Sequence, residues 1–298
     1  MPDKMKVAGF TFIRNAVKND YPVVEAITSV LPVCDEFVVA LGKSEDGTYE
    51  LIKGINSPKI KIIDTEWDES LCKGGEVFAR ETDKAFAAIS ANADWAFYIQ
   101  GDECVHEDYL PVVLKAMQDN LHDERVEGLL FKYLHFYGSY DFYGQSRRWY
   151  RREIRVLRNN KDIRSYRDAQ GFRWLNNRKL NVKLIDAYIY HYGWVKPPSG
   201  LKNKVRNFNT FYHNPEWIAE HMPEETYQFD YNNADNLVRF TSTHPAVMQK
   251  RIAATNWKLD LDLKQLKKKV TLRRAILQKI EELTGWRISE YRNYRIIK

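Results

Sequence analysis

From Val7 to Leu121 the chain alternates short apolar runs with amphipathic stretches, and no other feature restricts the possible folds as strongly. Residues 7–13, 36–41, 60–63 and 95–99 are brief and rich in β-branched and aromatic side chains, so they read as strands. Between them Pro22 opens a helix with Val23, Ile27, Val30 and Leu31 on one face. The turn Glu45-Asp46-Gly47-Thr48 leads into a short helix holding Leu51 and Ile52. Residues 76–91 and 107–121 carry two longer helical patterns, the first burying Val77, Ala85, Phe86 and Ile89. Strand and helix in strict alternation predict an α/β fold, with a largely parallel sheet covered by helices on both faces. Ligands of such sheets sit beyond the C-terminal ends of the strands.

The pattern changes after Glu127. Residues 128–136, 154–157 and 182–190 read as further strands. The aromatic and basic stretch from Tyr133 to Arg152 suits either a sugar-binding surface or a β-hairpin with half-buried tyrosines. Pro197-Pro198-Ser199-Gly200 marks a boundary. The expected organisation is therefore one α/β domain over 1–195 and a mostly helical C-terminal extension over 196–298. In that extension Leu263, Leu266, Val270, Leu277 and Ile280 recur at helical spacing, closed by Gly285. Lys264, Lys267-Lys268-Lys269, Arg273-Arg274 and Lys279 make this segment basic. It fits a helix resting on an anionic membrane, or one packed on the main domain with its polar face in water.

No run of about 18 apolar residues is present, and the N-terminus lacks the apolar stretch of a secretory signal. The three cysteines form no CxxC pair, which argues against a disulfide framework or a structural zinc site. These features place the protein in the cytoplasm, with peripheral contact at the inner membrane face as the alternative. A net charge of +6 favours anionic partners. Nucleic acid is not the expected partner, because no RNP motif, zinc-finger spacing or helix-turn-helix signature occurs. The basic balance and the aromatics interleaved with Arg keep a basic nucleic-acid-binding protein as an alternative function.

The chemistry concentrates at Asp94-Trp95-Ala96-Phe97-Tyr98-Ile99-Gln100-Gly101-Asp102-Glu103, where an apolar strand ends in two adjacent carboxylates. A carboxylate at that place can hold Mg2+ or Mn2+ against a diphosphate, the phosphate oxygens and water filling the remaining positions. A solvated acidic turn is the plainer reading. Further segments occur in order around it: Phe12-Ile13-Arg14-Asn15, Asp35-Glu36-Phe37-Val38-Val39, Ser44-Glu45-Asp46-Gly47-Thr48 and Phe78-Ala79-Arg80-Glu81-Thr82-Asp83. Together they resemble the family 2 glycosyltransferases of bacterial type, whose catalytic domain has the GT-A fold. The resemblance covers roughly residues 5 to 195.

The resemblance implies a metal-dependent inverting transfer from a nucleotide-sugar donor to a glycan or glycolipid acceptor, such as cell-surface polysaccharide or lipopolysaccharide core. It implies that Phe12, Arg14 and Ser44 hold base and ribose, that Arg80 approaches the diphosphate, and that Asp102 binds the metal. Gln100 stands where the family carries the first Asp of its Asp-x-Asp motif, and its amide suits a donor-sugar hydroxyl. Glu103 belongs to the same donor side. The strand-two tip, often acidic in the family, is Leu41 or Gly42, which leaves the base open. In Arg167-Asp168-Ala169-Gln170-Gly171-Phe172, Asp168 is the expected base and Gln170 a sugar contact, with Glu103 and Asp141 as rival bases. Asp168 equally suits a turn cap. In His191-Tyr192-Gly193-Trp194, the resemblance makes His191 a second metal ligand, favouring Mn2+ over Mg2+. Trp194 would face a sugar. A packed core histidine and a buried tryptophan are the structural alternatives. Gln100 also leaves room for a catalytically inactive relative that binds nucleotide or carbohydrate without turnover.

Overall fold

The computed structural model describes residues 4–68, 70–71, 74–224, 231, 234, 236–258 and 271–298. Its centre is a curled mixed sheet flanked by helices, the α/β GT-A-like arrangement expected. β1 (Val7–Ile13), β2 (Glu36–Gly42), β3 (Ile60–Thr65) and β4 (Trp95–Tyr98) form the parallel half in the order β3-β2-β1-β4. Their crossovers are α1 (Val23–Val30), α2 (Thr48–Lys53) and α3 (Glu76–Ala87). After β4 come β5 (Glu103–Val105), α4 (Leu110–Asp119), β6 (Gly128–Tyr137), β7 (Phe142–Gly144) and β8 (Arg152–Arg158). β8 runs antiparallel between β4 and β6 and joins the two halves. β9 (Ile163–Tyr166) and β10 (Gly171–Trp174) form a separate hairpin, and β11 (Leu180–Trp194) returns parallel to β6.

Alternation along the strands divides the core into two layers. Val7, Ile13, Trp95 and Phe97 face α1 and α4, together with Ile27, Phe37 and Phe131. Ala8, Phe10, Ala96 and Tyr98 face α3 and the β9–β10 hairpin, with Phe86 and Phe172. The α3 helix stops at Ala87, short of the expected 91, because the Glu36 carboxylate accepts from the Ser90 backbone N–H and hydroxyl at 2.6 and 2.8 Å. The helix expected over 107–121 begins as a 3-10 turn capped by His106 and becomes α4 only at Leu110.

The extension is mostly helical: α5 (Pro198–Asn209), α6 (Pro215–His221), α7 (Gln249–Ala253) and α8 (Leu272–Thr284). Two short strands, β12 (Leu237–Arg239) and β13 (Tyr294–Ile296), join the main sheet at β7 and β11. Leu277, Ile280, Arg273, Arg274 and Lys279 lie in α8, which ends at Gly285 as expected. Leu263, Leu266, Val270 and the lysines from 264 to 269 lie outside the described residues, as does Cys72. Cys34 and Cys104 are buried free thiols. Among the described residues no helix is long and apolar enough to cross a membrane.

Candidate active site

The site begins where β4 ends. Beyond Tyr98 the chain turns back into β5, with the Glu103 N–H donating to Gln100 O at 3.1 Å. β11 runs antiparallel to β5 with His191 opposite Glu103, and the Tyr192 N–H donates to Asp102 O at 2.8 Å. This register sets His191 and Gly193 against the Asp102 carboxylate. His191 Nε2 lies 3.7 Å from Asp102 Oδ2.

The protonation of His191 follows from its neighbours. His135 Nε2 is 2.8 Å from Tyr150 O, an acceptor, so that nitrogen carries the proton. Burial and the adjacent His191 hold the His135 pKa well below its ordinary value, which keeps it neutral and leaves Nδ1 as an acceptor. His191 Nδ1, 3.2 Å away, is then the donor. Burial lowers the His191 pKa as well, despite the opposing pull of Asp102. His191 therefore presents an unprotonated Nε2 toward Asp102. Metal-binding histidines are held in the same way, by a donor bond from the other ring nitrogen.

Gly193 leaves the space. A Cβ there would lie 2.6 Å from Asp102 Oδ2 and 2.7 Å from His191 Nε2. A carboxylate, an imidazole lone pair and a gap between them fit a divalent cation. Among the described residues no cluster of three or more His, Cys, Asp or Glu side chains gathers for a metal. Asp102 and His191 offer two donor atoms, and a cation there would need ligand oxygens and water to complete its shell.

The positive charge beside this pair comes from α5. Lys204 Nζ donates to Asp102 Oδ2 at 3.0 Å and to Gly193 O at 2.8 Å. Burial works against the charge on Asp102, but the Lys204 ammonium outweighs burial and holds the carboxyl well below its ordinary range. Burial likewise opposes the charge on Lys204, and Asp102 reverses the effect, raising the ammonium pKa.

Glu103 lies beneath this site rather than in it. It is 0% exposed, and both its oxygens are engaged: Oε1 by Arg155 Nη2 at 2.8 Å and the Tyr133 hydroxyl at 2.7 Å, Oε2 by Arg155 Nε at 2.8 Å and the Gln100 N–H at 3.1 Å. Neither donor binding nor the role of base is open to it in this position. Gln100 turns the other way. Its Nε2 donates to Ala169 O at 3.2 Å, tying the end of β4 to the β9–β10 turn.

Asp168 sits in that turn between Arg167 (φ 56°) and Ala169 (φ 62°), both in the left-handed region. Its Oδ1 accepts from Gln170 Nε2 at 3.0 Å and its Oδ2 from the Tyr212 hydroxyl at 3.0 Å. Gly75, before α3, permits this approach, since a Cβ there would stand 2.6 Å from the Tyr212 hydroxyl and 2.8 Å from Asp168 Cβ. Trp194 ends β11, with Lys204 Nζ 5.8 Å from its ring centre. Asp141 stands apart in the turn before β7, bonded to Ser139.

At the tips of β1 and β2, Arg14 Nε donates to Lys43 O at 3.1 Å, and the guanidinium lies 5.5 Å from the Trp67 ring. The Ser44 hydroxyl accepts from the Asn15 N–H at 3.0 Å and donates to Gly42 O at 2.9 Å. Phe12 packs on Trp67 and Phe78. A cavity of about 380 Å³ opens beside them, lined in part by Gly42, Ser44, Tyr49, Asp64, Thr65 and Glu66. Arg80 is not drawn into the cluster. It pairs with Glu76 Oε1 at 3.0 Å on the exposed side of α3.

No family model and no curated protein matches the chain. Among solved structures it is similar to TarS of S. aureus, at 15% identity and a TM-score of 0.39, covering 68% of this chain and 39% of that one. It is also similar to glucosyl-3-phosphoglycerate synthase from Mycobacterium tuberculosis in complex with Mn2+, uridine diphosphate and phosphoglyceric acid, at 18% identity and a TM-score of 0.30, covering 45% and 43%. A third is 4-diphosphocytidyl-2C-methyl-D-erythritol synthase from Anaerococcus prevotii, at 11% identity and a TM-score of 0.39, covering 70% and 96%. The chain spans about two fifths of the first two. No property of those proteins transfers at such distances.

Sequence reading misses three parts of this site. Asp64 follows the β3 run as Asp102 follows β4, so the same strand-end rule finds it. His135 lies inside a strand without any local mark. Lys204 and Tyr212 come from the far side of the Pro197 boundary, and nothing in the sequence separates Lys204 from Lys202, which bonds to Glu224 O instead.

Proposed function

We propose that this protein is an inverting glycosyltransferase that moves a sugar from a nucleotide-diphosphate donor to a glycan or glycolipid hydroxyl, with Mn2+ or Mg2+ as cofactor. The observation that carries the reading is the cradle of Asp102, the unprotonated His191 Nε2 and the vacant side of Gly193 at the ends of parallel strands. Asp102 and His191 would hold the cation, which supplies charge stabilisation to the departing diphosphate. The cavity at Ser44, Asp64 and Thr65, at the tips of β2 and β3, suits a base and ribose. Its carboxylate comes from β3 instead of β2. Phe12 and Arg14 border that side, and Arg80 reaches a diphosphate only by leaving Glu76.

In the reaction Asp168 takes the proton of the acceptor hydroxyl as its oxygen bonds to the anomeric carbon. The bond to the diphosphate breaks, and its electron pair leaves with the phosphate oxygen. Gln100 and Gln170 hold the turn that aims Asp168, and Trp194 offers an aromatic face to a sugar. Residues 1–195 carry the chemistry under this reading, and 196–298 is an extension that contributes Lys204 and Tyr212. A cytoplasmic site of action follows from the donor.

A second reading, a nucleotide- or carbohydrate-binding relative without turnover, draws on Lys204, which already satisfies Asp102. A thermal-shift panel of UDP, GDP, CDP and dTDP, each with EDTA, Mg2+ or Mn2+, tests the first reading on wild type and Asp102→Asn. A ligand at 100 times its dissociation constant adds about 2.7 kcal/mol of stability. A shift for one nucleotide that requires both metal and Asp102 is the expected outcome. A flat panel for every nucleotide sinks it. Binding without sugar transfer would favour the second reading.

A further inference from the structure

We propose that Lys204 is the resident cation of the Asp102 site, and that the segment carrying it, α5 and the turn to Tyr212, is a lid that a divalent cation and the donor displace. The inference rests on the metal-site reading given above and adds a competitor to it. Lys204 is held as a cation is held. Its ammonium contacts one carboxylate oxygen and one backbone carbonyl, and it lies 5.2 Å from the centre of the Tyr21 ring and 5.8 Å from that of Trp194. Its side chain is 12% exposed. The same carboxylate oxygen, Asp102 Oδ2, faces His191 Nε2 at 3.7 Å and Lys204 Nζ at 3.0 Å. A divalent ion bound to that oxygen would stand next to an ammonium in a water-poor setting, where like charges repel strongly. One of the two must leave.

The rest of the segment supports a lid. Tyr212 donates to Asp168 Oδ2, so a single stretch of chain covers both carboxylates of the proposed chemistry. Phe208 stacks on Phe78 at 5.7 Å, and Phe211 lies 5.0 Å from Phe78 and 5.7 Å from Trp67. These rings extend the cluster around Phe12, at the edge where a donor would enter. The Gly75 N–H donates to Phe211 O at 3.2 Å. Leu201 and Val205 pack the start of α5 against Tyr137, Tyr231 and Leu237. Beyond that anchor and Lys204, the segment is fastened over the site by single hydrogen bonds and ring contacts, the kind of attachment a ligand can outcompete.

The test uses the full chain and Mn2+ alone, read by electron paramagnetic resonance of the free ion. Lys204→Met should bind Mn2+ about tenfold tighter than wild type or more. Lys204→Arg, which keeps the charge, should not. The gain should vanish in Lys204→Met/Asp102→Asn. Hydrogen exchange of wild type gives an independent reading that needs no variant: residues 198–212 should exchange faster at saturating Mn2+. Equal Mn2+ affinity in wild type and Lys204→Met overturns the proposal while leaving the metal site standing. Unchanged exchange at saturating Mn2+ does the same. No binding to either protein at millimolar Mn2+ overturns both the proposal and the metal-site reading, because removing the ammonium should expose the ligands.

Discussion

At the residue scale the site depends on side chains that touch no ligand. His135 fixes the His191 tautomer by accepting its Nδ1 proton. Replacing His135 with Phe removes that acceptor, and Mn2+ affinity should fall by about 10- to 100-fold, as losses of such supporting partners do. An unchanged Mn2+ titration would mean that His191 is not a ligand. A second buried group, Glu153 on β8, tests the electrostatics nearby. Its Oε2 is buried without a hydrogen-bond partner among the described residues. Burial first, with Glu103 and Asp168 adding to it against Arg155, raises its pKa from 4.5 to about 8. A carboxyl whose folded pKa is raised holds its proton more tightly in the folded state. Its contribution is fully present below 4.5 and lost as pH rises toward 8. Glu153→Gln should lack that loss. Urea unfolding should show the variant gaining on wild type across this window, by an amount on the order of a few kcal/mol at its upper end. A constant difference at every pH would refute the assignment.

Elements are locked by side chains that span several of them. Arg158, the last residue of β8, stacks 4.0 Å from the Trp95 ring centre and donates to four carbonyls, those of Asn120, Leu121, Asp123 and Val126. One guanidinium thereby closes the turn between α4 and β6 and fastens it to β4, the strand that delivers Asp102. Arg158→Ala leaves those acceptors short of a donor and should cost about 3 kcal/mol in equilibrium unfolding. Arg158→Lys should recover only part, since an ammonium cannot reach four acceptors spread around a planar fork. Full recovery by Lys would show that charge alone matters. The same principle explains Glu103. It reads from sequence as a candidate ligand beside Asp102, yet alternation along β5 turns it inward to Arg155.

On the scale of the whole molecule, the extension is woven into the main sheet. β12 and β13 pair with β7 and β11, and Glu281 of α8 forms ion pairs with Arg147, Arg151 and Arg287. Calorimetry should therefore record one cooperative transition, with calorimetric and van't Hoff enthalpies in agreement. Two resolved transitions would mean that residues 196–298 fold apart from the rest. From the same extension α5 sends Lys204 onto Asp102.

The alternation from Val7 to Leu121 settles the parallel half of the sheet by itself, because burial on both faces demands apolar strands and each parallel crossover demands a helix. With it comes the position of Asp102, the first carboxylate after a strand that runs out of apolar residues at the ligand edge. His191 was legible for the same reason, at the end of a long apolar run. Pairings between distant segments decided the rest. The register of β11 against β5 brings Gly193 and His191 onto Asp102, His135 sets the proton on His191, and α5 carries Lys204 back across about a hundred residues of chain. Local periodicity records which face of an element is buried. It holds no record of which distant charge arrives to meet it, and that is set only when the sheet has closed.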